Sequence, residues 1–289
     1  MNDYPKNYLT KSETYKMTTT PSNKISKQNK FLSIACYSLF WLLILGLALF
    51  IKKSPLFSTA SLLPKTPTYS EHSLEYLIGP DATSYPTSLL ELASKKPETI
   101  DFVKNYSHYL EGLETMESIS LVADYTPGEI PLLIQWDTRW GYEYYGDEFI
   151  AVNGCGPTSL SMVAVGLTGN THLNPKVIAD FSYEQGYFVK GRGSSWDLMT
   201  KGAHSLGLTS KELPLNDTSI LKELSSGHPI IASMKPGDFT TSGHFIVLVG
   251  LAPNGEIIVN DPDSIVRSHQ TWDLKTLTKQ IKNLWAFSL

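Results

Sequence analysis

Cys155 lies in the run Val152-Asn153-Gly154-Cys155-Gly156-Pro157-Thr158-Ser159, and the residues after it have the spacing of a helix. Leu160, Val163, Ala164 and Leu167 share one face. Pro157 suits a first helical turn, where its missing N–H costs nothing. Cys155 is therefore expected at a helix N-terminus, with a glycine on each side to let backbone approach closely. Unpaired N–H groups and the helix dipole favour a thiolate there, and the thiolate is the reactive form of cysteine. The position suits a nucleophile. The ordinary alternative is a small residue filling a tight turn.

A cysteine nucleophile needs a base. Of the 7 histidines, His72 and His108 fall in a polar helical stretch, and His172, His204, His228 and His269 in loops or helix ends. His244 differs. It follows Ser242-Gly243 and opens the apolar run Phe245-Ile246-Val247-Leu248-Val249-Gly250, which would hold the ring rigidly at the mouth of a buried strand. The base in turn needs an acceptor to fix its tautomer. Asn260-Asp261-Pro262 ends the next apolar run, and the Asn254-Gly255 turn would lay the end of that run beside the start of the first. Asn260 and Asp261 both compete for the role, with Asp261 preferred because a carboxylate better stabilises imidazolium. The ordinary reading of Asp261-Pro262-Asp263-Ser264 is an Asx turn, and the acid spacing of a calcium loop is missing.

Acyl transfer also needs oxyanion donors. The Cys155 N–H is one, and a side-chain amide is the usual second. Gln135, in Leu133-Ile134-Gln135-Trp136-Asp137, is the candidate; otherwise it is a polar residue ending a short strand. Gly154, Gly243 and Trp196 are candidates for substrate contact. Trp136, Trp140 and the loop 191–195 are also placed to line a groove, with buried aromatic packing the alternative. No metal or organic cofactor is implied.

These residues need elements to position them. Helices are expected over 157–167, 175–185, 196–206 (capped by Ser194 or Ser195) and 217–226. Strands are expected over 229–234, 244–251, 256–260 and 283–287. Helices first and an antiparallel sheet later make an α+β domain over 127–289. Ahead of it, 71–126 reads as a helical preface: Leu89, Leu90, Leu92 and Ala93 share a face, Pro97 interrupts, and Glu98 begins a second run through Phe102, Val103, Tyr106 and Tyr109. Its aromatics are read as helix packing.

The remainder concerns location. Residues 31–51, FLSIACYSLFWLLILGLALFI, contain no charge and are long enough as a helix to cross a bilayer. Six lysines and two acids lie in residues 1–51; the rest of the chain holds 18 basic and 26 acidic side chains. The lysines ahead of the apolar run put residues 1–30 in the cytoplasm as a disordered tail, and everything after residue 53 outside. Small residues at Ser58-Thr59-Ala60 offer a signal-peptidase site, but the long leader and long apolar run favour an uncleaved anchor. Residues 52–70, with Pro55, Pro64 and Pro67, form a linker. Cys36 falls within the span, which leaves Cys155 as the one exported cysteine, with no intramolecular disulfide partner. Two cysteines exclude a disulfide scaffold and a cysteine-ligated zinc domain, and a net charge of −4 gives no footprint for nucleic acid.

The phrases IPLLIQWDTRWGYEYYG, GCGPTSLSMV, GYFVKGRGSSWDLM, GHFIVLVG and VNDPDS resemble the exported members of cysteine peptidase family thirty-nine, relatives of the bacteriocin leader peptidases. The likeness covers roughly 127–289, and the preface from about Tyr85 resembles bacterial members. It implies a papain-like fold in the order Gln, Cys, His, Asp. Cys155 would be nucleophile, His244 general base and acid, Asp261 its orienter and Gln135 the oxyanion donor. Gln135 stands further from the cysteine than in the leader peptidases, and no ATP-binding loop or transporter spans accompany the domain, so an exporter is not expected. The expectation is a membrane-anchored bacterial cysteine peptidase acting outside the cytoplasm on a peptide or protein substrate. A wall-peptide amidase or acyltransferase with the same triad is the alternative enzyme, and a non-catalytic peptide-binding module the alternative of another class.

Overall fold

A computed structural model of the chain describes residues 78–79, 84–112 and 119–289. Every described residue belongs to one compact unit, Lys65–Leu289. The expected cytoplasmic tail, the apolar segment 31–51, the linker 52–70 and the Ser58–Ala60 site lie outside the described residues. Among the described residues no helix is long and apolar enough to cross a membrane.

Within the described part of the preface, most of 87–112 is helical. Helix α1 (Thr87–Lys95) buries Leu89, Leu92 and Ala93, and a 3-10 turn (Pro97–Thr99) leads into α2 (Ile100–Lys104) and α3 (Tyr106–Gly112). Pro97 breaks the helix as expected, because its ring cannot follow a helical residue. Phe102 and Val103 of α2 join Tyr142, Phe149 and Ala151 in one apolar cluster. The Phe102 and Tyr142 rings stack at 4.2 Å, and the Tyr142 hydroxyl donates to the Phe102 carbonyl at 2.5 Å. Gly141 permits that approach, since a Cβ there would meet the Phe102 ring at 2.7 Å.

A small hairpin of β1 (Tyr144–Tyr145) and β2 (Glu148–Phe149) then runs into α4 (Ile150–Asn153) and the long helix α5 (Cys155–Thr168). Gly169 ends α5 in the left-handed region at φ 70°, the usual stop for a helix. Helix α6 (Pro175–Glu184) starts with Pro175, and the Asn174 side chain accepts from Val177 N at 3.1 Å. A second hairpin, β3 (Phe188–Val189) with β4 (Gly193–Ser194), follows.

The expected helix over 196–206 is broken in two: a 3-10 turn (Trp196–Met199) and α7 (Lys201–Ser205), with Thr200 out of helical geometry. The Met199 carbonyl, which a continuous helix would give to Ala203, accepts from the Ser210 hydroxyl at 2.5 Å. Neither serine caps it by its side chain. The Ser194 hydroxyl is instead bonded to the Tyr145 hydroxyl at 2.8 Å.

Beyond β5 (Thr209–Glu212) and α8 (Asp217–Ser225) lie β6 (Ile230–Met234), β7 (His244–Leu251) and β8 (Ile257–Asn260). Helix α9 (Ile265–Ser268), β9 (Thr271–Trp272), α10 (Leu274–Gln280) and β10 (Ile281–Ser288) complete the chain. The sheet is antiparallel throughout, in the order β5-β10-β6-β7-β8-β9. The architecture is thus mixed α+β. Alternation along the strands gives the sheet two apolar faces. Ile231, Phe245, Val247, Trp285 and Phe287 pack with Leu160, Met162 and Val163 of α5. Ile230, Ala232, Ile246 and Leu248 pack with Ile220 and Leu224 of α8 and Leu277 of α10. Strand β5 was not visible in the sequence because Thr-Ser-Lys-Glu is an edge strand with three exposed positions and no apolar alternation.

Truncating Leu160, fully buried where α5 meets the sheet, is expected to cost about 2–5 kcal/mol as Leu160→Ala. Loss of the Asn174 cap in Asn174→Ala should cost only about 1 kcal/mol. Urea unfolding of the two variants beside the wild type checks the ranking.

Candidate active site

Cys155 is the first residue of α5, and the first hydrogen bond of that helix runs from Thr158 N to Gly154 O at 2.9 Å. The Cys155 N–H therefore has no acceptor within its own helix. Gly154 joins α4 to α5; a Cβ there would fall 2.4 Å from the Ile150 carbonyl oxygen, so the turn itself demands glycine. A Cβ on Gly156 would meet the Ser194 hydroxyl at 2.3 Å, which seats the loop 191–195 against the start of α5.

His244 opens β7, and the turn at Asn254-Gly255 folds β8 back beside it, with Val247 opposite Asn260. Gly255 takes φ 83°, the conformation this turn requires of glycine. The strand end thus arrives beside the strand start. His244 Nε2 lies 2.7 Å from Asp261 Oδ1, and because an ionised carboxylate only accepts, the ring N–H donates. Nδ1 is left for other partners, and Cys155 is near enough to favour charge on the ring. Cysteine, histidine and aspartate are therefore brought together.

Asn260, the competitor for the third position, is engaged elsewhere. Its Nδ2 donates to the Ile130 and Pro131 carbonyls at 3.1 and 3.2 Å. Gln135 is buried and is not at the end of a strand. Its backbone N–H donates to Pro262 O at 2.7 Å, and its side-chain Nε2 donates to Ala151 O at 2.7 Å. The amide so bridges the loop carrying Asp261 and the short helix that delivers Cys155. One of its two N–H groups is committed to Ala151, and its Oε1 is buried without a partner among the described residues.

The three tryptophans divide. Trp140 is fully buried, with Nε1 donating to Ile134 O at 2.9 Å, and Trp136 Nε1 donates to Asp263 O at 3.3 Å. Trp196 alone of the three is exposed, at 41%, with its Nε1 donating to Ser233 Oγ at 3.3 Å. Ser233 pairs with Phe245, next to His244. Gly243 has open space where a Cβ would stand, only the Met234 carbonyl oxygen coming within 4.0 Å.

Sequence reasoning missed Arg267. Its Nε donates to Asp261 Oδ2 at 2.5 Å, so both carboxylate oxygens are occupied by cationic or ring donors. The Asp263 N–H adds a third bond, to Oδ1 at 2.8 Å. Nothing in the run Ile265-Val266-Arg267-Ser268 signals this, beyond its being one turn of helix past the loop. Tyr145 was missed as well. Its buried hydroxyl bonds to Ser182 at 2.7 Å and Ser194 at 2.8 Å, and burial, with Cys155 close by, pushes its proton affinity up.

The charges follow from this packing. Burial opposes charge on His244, but the Asp261 carboxylate and then Cys155 outweigh it, and the imidazole is pushed up from 6.5 to about 10. Burial would raise Asp261, but His244 and then Arg267 hold it down, from 3.8 to about 2. A histidine raised on folding stabilises the fold fully below its unfolded value, and that stabilisation falls away as pH rises from 6.5 through about 10. The aspartate works the opposite way: its contribution is present above 3.8 and is lost as pH falls through about 2. The wild type should therefore lose stability on the alkaline side, from near neutrality upward, by a slope absent from His244→Gln. Urea midpoints measured from pH 6 to about pH 11 test this, and parallel curves for the two proteins would contradict it.

The family model described as Peptidase_C39 like family matches residues 128–287, from before Gln135 into β10. No curated protein matches the chain. With that match spanning more than half of its length, the chain belongs to this cysteine-peptidase-like family.

Proposed function

We propose that this protein is a cysteine peptidase of papain-like type that hydrolyses peptide bonds through Cys155, His244 and Asp261. The observation that carries the reading is the buried bond between His244 Nε2 and Asp261 Oδ1 at 2.7 Å, made on an imidazole that also interacts with Cys155. Sγ of Cys155 attacks the substrate carbonyl carbon, and the carbonyl oxygen takes up negative charge. The Cys155 N–H and the uncommitted N–H of Gln135 stabilise that oxyanion. Imidazolium of His244 then gives its proton to the leaving amine as the C–N bond breaks, leaving a thioester on Cys155. Water loses a proton to His244, attacks the thioester and releases the acid, and the thiol is restored. Asp261 holds the ring in the tautomer that presents Nδ1 to the sulfur and stabilises the imidazolium. Gly154, Gly243 and Trp196 border the cleft in which the peptide lies.

The same reading places the enzyme outside the cytoplasm of a bacterium, tethered by residues 31–51 with residues 1–30 inside. Support for this half is the uncharged run and the lysines that precede it.

Cys155→Ala should abolish hydrolysis of a quenched fluorescent peptide library while leaving the circular dichroism spectrum and urea midpoint near those of the wild type. Undiminished hydrolysis would sink the mechanism. Gln135→Ala should lower kcat by about 10²-fold. A phosphatase reporter fused after Leu289 should be active in intact bacteria, since alkaline phosphatase works only when exported; an inactive fusion present at full length would refute the orientation.

A further inference from the structure

The loop that carries Asp261 is held from a part of the chain outside the family match. Glu98, in the 3-10 turn of the preface, accepts from Ile265 N at 3.0 Å and Val266 N at 3.2 Å through Oε2, and from the Ser264 hydroxyl through Oε1. These three donors are the start of α9. The far end of the same single turn holds the aspartate: Arg267 Nε bonds to Asp261 Oδ2 at 2.5 Å, and Asp261 N donates to Ser268 Oγ at 2.9 Å. Ser264 couples the two ends, its Oγ accepting from Arg267 N at 3.1 Å and its carbonyl from Ser268 Oγ at 2.7 Å. Two residues before Glu98, Lys96 forms an ion pair with the buried carboxylate of Asp263, whose N–H donates to Asp261. Thr99 is fully buried, and its hydroxyl donates to Lys96 O at 2.8 Å, which keeps the turn in shape.

We propose that Glu98 is a positioning residue for the His244–Asp261 pair, acting through α9 and Arg267, so that the helical preface is a working part of the active site. The proposal rests on the triad reading given above. Without Glu98, the backbone donors of α9 lose their carboxylate acceptor, Arg267 is no longer held over Asp261, and the aspartate supports the imidazolium less well. Cys155 on α5 and Arg267 on α9 act on the pair directly, and the charged groups next out are Asp263 on the loop, paired with Lys96 of the preface, and Glu98 of the preface, which acts on Arg267. The preface on this view is not a detachable propeptide, because its removal would loosen the third member of the triad.

The test uses the full chain and needs no known substrate. Iodoacetamide alkylation of Cys155 is followed from pH 5 to about pH 11 by mass spectrometry of the peptide that contains it, in wild type, His244→Ala, Glu98→Ala, Glu98→Gln and Val103→Ala. The upper inflection of the profile reports loss of the His244 proton. Glu98→Ala should move that inflection down by about 1 on the pH scale and slow alkylation near pH 7 by about tenfold. Glu98→Gln, which keeps a neutral acceptor, should give an intermediate shift, and it carries the test alone if Glu98→Ala does not fold. Val103→Ala, a core truncation in the same preface away from the loop, should lower the melting temperature with the profile in place. Wild-type profiles in both Glu98 variants would overturn the proposal, as would an equal shift in Val103→Ala. A wild-type profile indifferent to His244→Ala would instead overturn the triad reading on which it rests.

Discussion

A carboxylate with no contact with water must be balanced by charges and donors inside the protein, and Asp261 is such a group. Its two oxygens receive the His244 ring, the Arg267 guanidinium and the Asp263 backbone N–H. Removing either the ring or the guanidinium would leave the buried charge under-compensated, at a cost of about 3–5 kcal/mol for a broken buried ion pair. The surrounding chain is arranged to keep all three in place. The hairpin of β7 and β8 brings the histidine, the single turn of α9 brings the arginine, and the loop folds on itself to bring the amide.

The segment 130–136 belongs to the same arrangement although it is far away in sequence. It lies against the end of β8 and the loop that follows, tied by Asn260 Nδ2 to the Ile130 and Pro131 carbonyls, by Gln135 N to Pro262 O and by Trp136 Nε1 to Asp263 O. That fixes the Gln135 side chain between the aspartate loop and Ala151, four residues before Cys155. The position of the amide thus depends on the backbone of the loop that holds Asp261. The asparagine beside Asp261 contributes to the site in this indirect way, as a tether rather than as an orienter of the ring.

Much of this was legible in the sequence, and the parts that were not have physical reasons. The helix after Cys155 was readable because its apolar residues recur at helical spacing, and the strands at His244 and Ile257 because they are short, β-branched apolar runs with Asn254-Gly255 marking the turn between them. Those same signals placed His244 near Asp261. The choice between Asn260 and Asp261 was open from the residues alone, since adjacent residues at a strand end differ by which way the chain leaves the strand. The helix over 196–206 breaks at Thr200, where the Met199 carbonyl accepts instead from the Ser210 hydroxyl, a tertiary contact invisible to periodicity. Arg267 and Glu98 were not legible for a similar reason. Each does its work on a partner by geometry that only the folded chain supplies, and Glu98 stands 167 residues from the amide of Ile265 that it accepts.

The sign of the charges around the pair is itself informative. Three carboxylates, Glu98, Asp261 and Asp263, face two permanent cations, Lys96 and Arg267, in one connected set of hydrogen bonds and ion pairs. With a neutral imidazole this set carries one excess negative charge, partly buried, with Asp263 Oδ1 lacking a hydrogen-bond donor among the described residues. With an imidazolium it is neutral. Desolvation alone would favour the neutral ring, so the protonated form must be selected by the surrounding charge, and the carboxylate in contact is the largest contributor that favours it. A thiol whose neighbour is already an imidazolium needs only to lose its own proton to form an ion pair. The preface supplies Lys96 and Glu98 with opposite signs, so it leaves the net charge of the set unchanged. Its effect is instead geometric: Lys96 fixes Asp263, Glu98 fixes the start of α9, and the aspartate between them is kept in line with the ring.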